Sequence, residues 1–85
     1  MNMENLWNYA CSGNLKKLKK YFENGGEVNR RYSKFNQEHS LIAGAYRNKQ
    51  HDTVNFLLSV GETITLEEAE EFRDYLDKFG KIVKE

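Results

Sequence analysis

Leu6-Trp7-Asn8-Tyr9-Ala10-Cys11-Ser12-Gly13-Asn14-Leu15-Lys16-Lys17-Leu18-Lys19-Lys20-Tyr21-Phe22-Glu23-Asn24-Gly25-Gly26-Glu27-Val28-Asn29 contains two helical patterns, divided by a break and closed by a stop. Leu6, Tyr9 and Ala10 fall at i, i+3 and i+4, the spacing of one helical face. Gly13 ends that pattern, because glycine takes φ > 0 without steric cost. Asn14 is a residue type that caps a following helix. Leu15, Leu18, Tyr21 and Phe22 then form a narrow apolar stripe, with Lys16, Lys17, Lys19 and Lys20 around it. Such a helix packs on one side and faces water on the other. Gly25-Gly26 stop it, and the chain leaves as an extended Glu27-Val28-Asn29.

The same shape returns 36 residues later. Ser40 is placed to cap a third helix that carries Leu41, Ile42, Ala45 and Tyr46. Arg47-Asn48-Lys49-Gln50 forms the turn, Val54, Leu57 and Leu58 form the next stripe, and Gly61 ends it. With Gly25 set against Gly61, Leu6 meets Ile42, Leu18 meets Val54, Tyr21 meets Leu57 and Phe22 meets Leu58. Tyr9-Ala10 meets Ala45-Tyr46, a tyrosine and a small residue in swapped order. Leu15/His51 and Gly13/Lys49 break the match. Gly44 costs a helix about 1 kcal/mol relative to alanine, so close approach of a neighbouring backbone or a bulky side chain is expected there.

Between the two units, residues 30–39 have no helical stripe. Val28, Arg30, Tyr32 and Lys34 alternate with Asn29, Arg31 and Ser33, and Phe35-Asn36-Gln37-Glu38-His39 follow. The reading is an extended excursion or a short hairpin. After the second unit, Thr65 and Glu68 form a T-x-x-E capping box. Leu66, Ala69, Phe72, Leu76 and Phe79 recur at helical spacing, with Glu67, Glu68, Glu70, Glu71 and Asp74 outside the stripe as a solvated acidic face.

A chain of 85 residues and 10.0 kDa holds one domain with one thin core. Its 39% apolar content, with five Phe, five Tyr and one Trp, is enough to build that core. Cys11 is the only cysteine, which excludes an internal disulfide and favours a reducing compartment. No window approaches the roughly 18 apolar residues of a membrane helix. Met1-Asn2-Met3-Glu4 shows no basic segment leading into an apolar run, so no signal peptide is expected. The expected location is the cytoplasm, of the producing cell or of a host. The zero net charge hides an asymmetry: residues 1–61 carry nine Lys/Arg against five Asp/Glu, and residues 62–85 carry four against eight. Nucleic-acid binders are usually more basic overall, so nucleic acid ranks below protein as a partner.

Order and spacing together resemble the ankyrin repeat over about residues 5–64. The second unit carries the resemblance best, in Ser40-Leu41-Ile42-Ala43-Gly44-Ala45 through Val54-Asn55-Phe56-Leu57-Leu58-Ser59-Val60-Gly61. The family's Thr-Pro-Leu-His opening is degenerate in Ser40-Leu41-Ile42-Ala43. Its Gly-His turn is Gly13-Asn14 in the first unit and Lys49-Gln50 in the second. Its Gly-Ala-Asp-Val-Asn ending is close in Gly25-Gly26-Glu27-Val28-Asn29 and poor in Gly61-Glu62-Thr63-Ile64-Thr65. The period of 36 exceeds the family's ~33, and two units fall short of the ~3 that stability usually needs. The extra residues fall in the finger at 30–38. The missing layer is supplied either by the C-terminal helix or by dimerisation.

The expected fold is therefore all-α: a short ankyrin-like stack with unit one at 5–29, a finger at 30–39, unit two at 40–64 and a cap helix at 65–85. The resemblance implies a non-enzymatic protein-binding module, an inhibitor or adaptor, without a cofactor. Carried over by position, its contact residues are Tyr32, Lys34, Phe35, Asn36, Gln37 and His39 on the finger, and Cys11, Ser12, Arg47 and Asn48 at the ends of the first helices. Tyr and Arg are enriched where interfaces concentrate their energy; equally, Tyr32 or Phe35 could fill space under the loop. Trp7 has the same two readings, cover or contact. A nucleic-acid binder using Lys16, Lys17, Lys19 and Lys20 is one alternative, and a homo-oligomeric structural piece is another. His39, His51 and Cys11 make no recognised metal-ligand spacing, and no catalytic set can be argued from spacing.

Overall fold

A computed structural model of the chain describes residues 2–73. Among them are five helices and two short strands, in the order α1 (Met3–Ser12), α2 (Leu15–Glu23), β1 (Tyr32–Lys34), β2 (Gln37–His39), α3 (Leu41–Arg47), α4 (His51–Ser59) and α5 (Leu66–Glu71). The chain is mostly helical. Residues 32–39 add one small antiparallel hairpin to the helices.

The helix boundaries sit where the capping chemistry puts them. Asn2, Asn14 and Ser40 accept through their side chains from the backbone N–H three residues on. Gly13 closes α1 at φ 73 and donates to the carbonyls of Ala10 and Tyr9. Lys49 takes the corresponding place after α3 at φ 60, a left-handed conformation that glycine holds more cheaply. The turn bonds themselves recur at a spacing of 36 residues. Asn14 N–H donates to Tyr9 O and Gln50 N–H to Ala45 O, both at 2.8 Å; Gly25 donates to Phe22 O and Gly61 to Leu58 O, both at 3.1 Å.

Leu6, Ala10, Leu18, Leu41, Ile42, Ala45, Val54, Leu57 and Phe72 are fully buried and form one core. Each large aliphatic side chain there contributes about 1.5–3 kcal/mol of transfer free energy. α1 lies against α3, and the approach is close at Gly44. A Cβ there would stand 3.0 Å from Cys11 Sγ and 3.0 Å from Trp7 Cζ3, which is why this helix carries a glycine in its middle.

The finger begins later than expected. Arg31 belongs to a clasp between the chain leaving α2 and the chain leaving α4: its guanidinium donates to Thr63 O and Thr63 Oγ1. Asn29 Oδ1 accepts from Thr63 N–H and Oγ1–H, and Asn29 N–H donates to Glu62 Oε2 at 2.9 Å.

The capping box at Thr65 and Glu68 forms as its spacing predicts. The faces of α5 differ from the expectation. Leu66 is 89% exposed, while Glu68 is 4% exposed and accepts from Ser40 N–H (3.0 Å), Ser40 Oγ–H (2.7 Å) and Thr65 N–H (3.0 Å). The carboxylate is buried because three donors meet it; of the expected stripe, Ala69 and Phe72 pack against the core and Leu66 does not, so α5 meets α3 through Glu68 and Phe72. The cap helix expected at 65–85 is described as far as Arg73; Leu76 and Phe79 lie outside the described residues.

Candidate protein-interaction site

Tyr32 pairs with His39, Ser33 with Glu38 and Lys34 with Gln37, which leaves Phe35-Asn36 as a two-residue loop. Both loop residues have positive φ, 54° and 61°, the conformation of the tight turn whose twist suits a hairpin. Asn-Gly is the usual occupant of such a loop. A phenylalanine at the first position is held in a region that costs an ordinary L-residue about 1–2 kcal/mol. It gains no burial in return, since Phe35 is 84% exposed. Lys34 Nζ lies 5.3 Å from its ring centre.

The base of the hairpin is braced through side chains. The Tyr32 ring stacks on Trp7 of α1 at 5.0 Å with 22° between planes. The His39 ring lies 5.6 Å from the same indole. His39 Nδ1 faces Arg47 Nη1 at 3.2 Å; arginine only donates, so Nδ1 is the acceptor in this geometry. Arg47 in turn grips Glu71 with two parallel bonds, Nε to Oε2 at 3.1 Å and Nη2 to Oε1 at 2.9 Å. The hydrogen bond to Glu71 raises the guanidinium's pKa, burial opposes it, and the charges of Glu71 and Glu68 add to it. A continuous line thus runs from hairpin to α1, α3 and α5. The ion pair itself is substantially exposed and contributes about 1 kcal/mol or less.

The residues singled out from sequence therefore divide. Lys34, Phe35, Asn36 and Gln37 project at the tip, all exposed. Tyr32, His39 and Arg47 form the brace beneath. Asn48 caps α3, with Nδ2 donating to Gly44 O at 2.8 Å. Ser12 Oγ turns back to Tyr9 O at 3.4 Å. Cys11 is half-buried against Gly44; burial raises its thiol pKa, with Arg47 pulling the other way.

Trp7 is the residue that ties the set together, and sequence left its role open. Glu71, read as part of a solvated face, is the partner of Arg47; the two lie 24 residues apart, and no local spacing rule connects them. An open cleft of about 310 Å³ between the hairpin and α5 is lined by Gln37, Glu38, His39, Arg47, Glu67 and Glu71. On α2, Lys16, Lys17, Lys19 and Lys20 are exposed, with no ion pair among the described residues. No described set of His, Cys, Asp and Glu is arranged to hold a metal ion, and no described helix is long and apolar enough to cross a membrane.

Comparison with protein-family models, with curated proteins and with solved structures gives no match to this chain.

Proposed function

We propose that this chain is a non-enzymatic protein-binding module, an inhibitor or adaptor, built as a two-unit ankyrin-like stack and engaging a partner protein through the hairpin tip. The recurrence of turn bonds at a spacing of 36 residues supports the repeat reading. The observation that carries the functional reading is Phe35. An exposed aromatic in a left-handed conformation is poor for stability on both counts, and strain of this kind concentrates where function requires it. The brace beneath it limits the conformational freedom that binding must remove, which favours affinity. The cytoplasm is the compartment proposed, from the single free thiol.

The test uses the full chain as bait in an extract of the producing cell or its host, with bound proteins read by mass spectrometry. Phe35→Ala is expected to abolish capture of the specific partner while leaving the thermal midpoint within a few degrees. Undiminished capture by Phe35→Ala would refute the assignment of the tip.

The exposed lysines of α2 support a second reading, binding of a polyanion. It requires retention on heparin at low salt that falls steeply as salt rises. Retention unchanged after Lys16, Lys17, Lys19 and Lys20 are replaced by glutamine would remove it.

A further inference from the structure

The brace beneath the hairpin contains one contact that a single proton removes. His39 Nδ1 accepts from Arg47 Nη1 at 3.2 Å, while the imidazole lies 5.6 Å from the Trp7 indole. Arginine has no acceptor and keeps its charge. The contact therefore exists only while Nδ1 is unprotonated. Histidine is the side chain whose charge ordinarily changes between about pH 5 and 8. A proton on Nδ1 turns the acceptor into a donor and sets a second cation against the guanidinium. Arg47 is held in place by both oxygens of Glu71, so the imidazole is the group that must move.

There is room for that movement. His39 borders the open cleft of about 310 Å³ between hairpin and α5. The groups that face the ring come from every element packed around it. α1 supplies Trp7, β1 supplies Tyr32 across the hairpin, α3 supplies Arg47, and α5 supplies Glu67, Glu68 and Glu71; Glu38 stands beside it on β2. The Cys11 thiol of α1, which acts on Arg47, is kept neutral by burial. Two of the carboxylates are committed, Glu71 to Arg47 and Glu68 to Ser40 and Thr65. Glu38 and Glu67 make no ion pair among the described residues. The indole also attracts a cation, but that pull is smaller than the cost of two donors and two like charges in contact at 3.2 Å.

We propose that His39 is a pH-driven toggle that sets how firmly the hairpin is mounted. Neutral, it accepts from Arg47 and lies against Trp7. Protonated, it turns into the cleft toward Glu38 and Glu67, and the base of the hairpin keeps only the stack of Tyr32 on Trp7. The tip is then presented firmly at neutral pH and loosely in mild acid. The use of the toggle to release a partner in acid rests on the tip reading above; the movement itself belongs to the chain alone.

Nuclear magnetic resonance and hydrogen exchange on the full chain, without a partner, test it at the two ends of the range, about pH 8 and about pH 5. At the higher pH, cross-relaxation is expected between the rings of His39 and Trp7 and between those of Tyr32 and Trp7. At the lower pH the first should vanish and the second persist. Amide protection across residues 32–39, corrected for the intrinsic pH dependence of exchange, should fall at least tenfold over the same range. His39→Gln, whose amide oxygen can accept from Arg47 at either pH, should show equal hairpin protection at both. His51→Gln, which leaves His39 in place, should respond as the wild type does. Glu38→Gln combined with Glu67→Gln should move the transition to lower pH. A contact between His39 and Trp7 that survives at the lower pH overturns the proposal, as does a pH response that persists in His39→Gln. Either result leaves binding by the tip unaffected, since capture by the wild-type chain and its loss in Phe35→Ala are measured separately at neutral pH.

Discussion

Replacing Glu68 with alanine should cost this domain about 3 kcal/mol. The carboxylate accepts from Ser40 N–H, Ser40 Oγ–H and Thr65 N–H, and both Glu68 and Ser40 are buried. Truncation leaves two buried donors at Ser40 without an acceptor, at about 1–3 kcal/mol each. The Thr65 N–H is only half-buried, finds water and adds little. Ser40 Oγ continues to cap α3 by accepting from Ala43 N–H, so that cap survives. For a chain of this size each kcal/mol lowers the midpoint by roughly 4–8 °C, which places the variant about 12–24 °C below the wild type. Urea unfolding followed by far-ultraviolet circular dichroism reads the free energy directly. Glu67→Ala and Leu66→Ala, both at exposed positions of the same helix, should stay within about 0.5 kcal/mol. The reasoning fails if Glu68→Ala also falls within that margin. It fails equally if Leu66→Ala costs about 2 kcal/mol, because then the leucine, not the glutamate, faces the core.

Three further perturbations probe other parts of the fold. Gly44→Ala should destabilise by about 1–3 kcal/mol and shift the emission of Trp7, because the new methyl lies 3.0 Å from Cys11 Sγ and the indole; a stabilisation reflecting helix propensity alone would contradict the close approach. Lys49→Gly should stabilise by about 0.5–1 kcal/mol in thermal melts, since φ is 60° there and the matching position after α1 is Gly13. Glu62 is 2% exposed, with Oε2 bonded to Asn29 N–H and Oε1 without a hydrogen-bond partner among the described residues; burial raises its pKa, against the pull of that bond and of Arg31. A carboxyl raised on folding contributes stability below its unfolded pKa and loses it as pH rises through the folded one. Glu62→Gln, a mimic of the protonated form, should therefore exceed the wild type in urea stability at neutral pH and converge with it toward about pH 4; a difference that does not vary with pH would show that the charge is not the cause.

Much of the local structure was legible because its causes are local. Gly13 and Asn14 end one helix and start the next through bonds that span three to five residues, and the Thr65/Glu68 box spans three. The burial of Leu6, Leu18, Val54 and Leu57 follows from helical spacing alone. The hairpin was half legible: alternation indicated extended chain, but the Phe35-Asn36 loop lacks the Asn-Gly signature that would have fixed its turn and register. At the candidate site, the resemblance named Lys34, Phe35, Asn36 and Gln37 as contact candidates, and the structure shows all four exposed at the hairpin tip. Asn48 was included although its amide is committed to Gly44 O, a bond visible only once α3 is known to end there.

The sequence by itself determined where helices begin and end, which faces are apolar, and that a glycine in α3 needs a close neighbour. Those features depend on residues a turn or less apart, or on periodicity within one element. Only the tertiary structure decided that Glu68 is buried and Leu66 exposed, that Trp7 carries the hairpin through Tyr32 and His39, and that Arg47 reaches Glu71. Each of these depends on side chains brought together from 8 to 32 residues away, as rings at Trp7 and as hydrogen-bond partners at Glu68 and Arg47, and the free energy of a buried polar group is set by partners that no local pattern records.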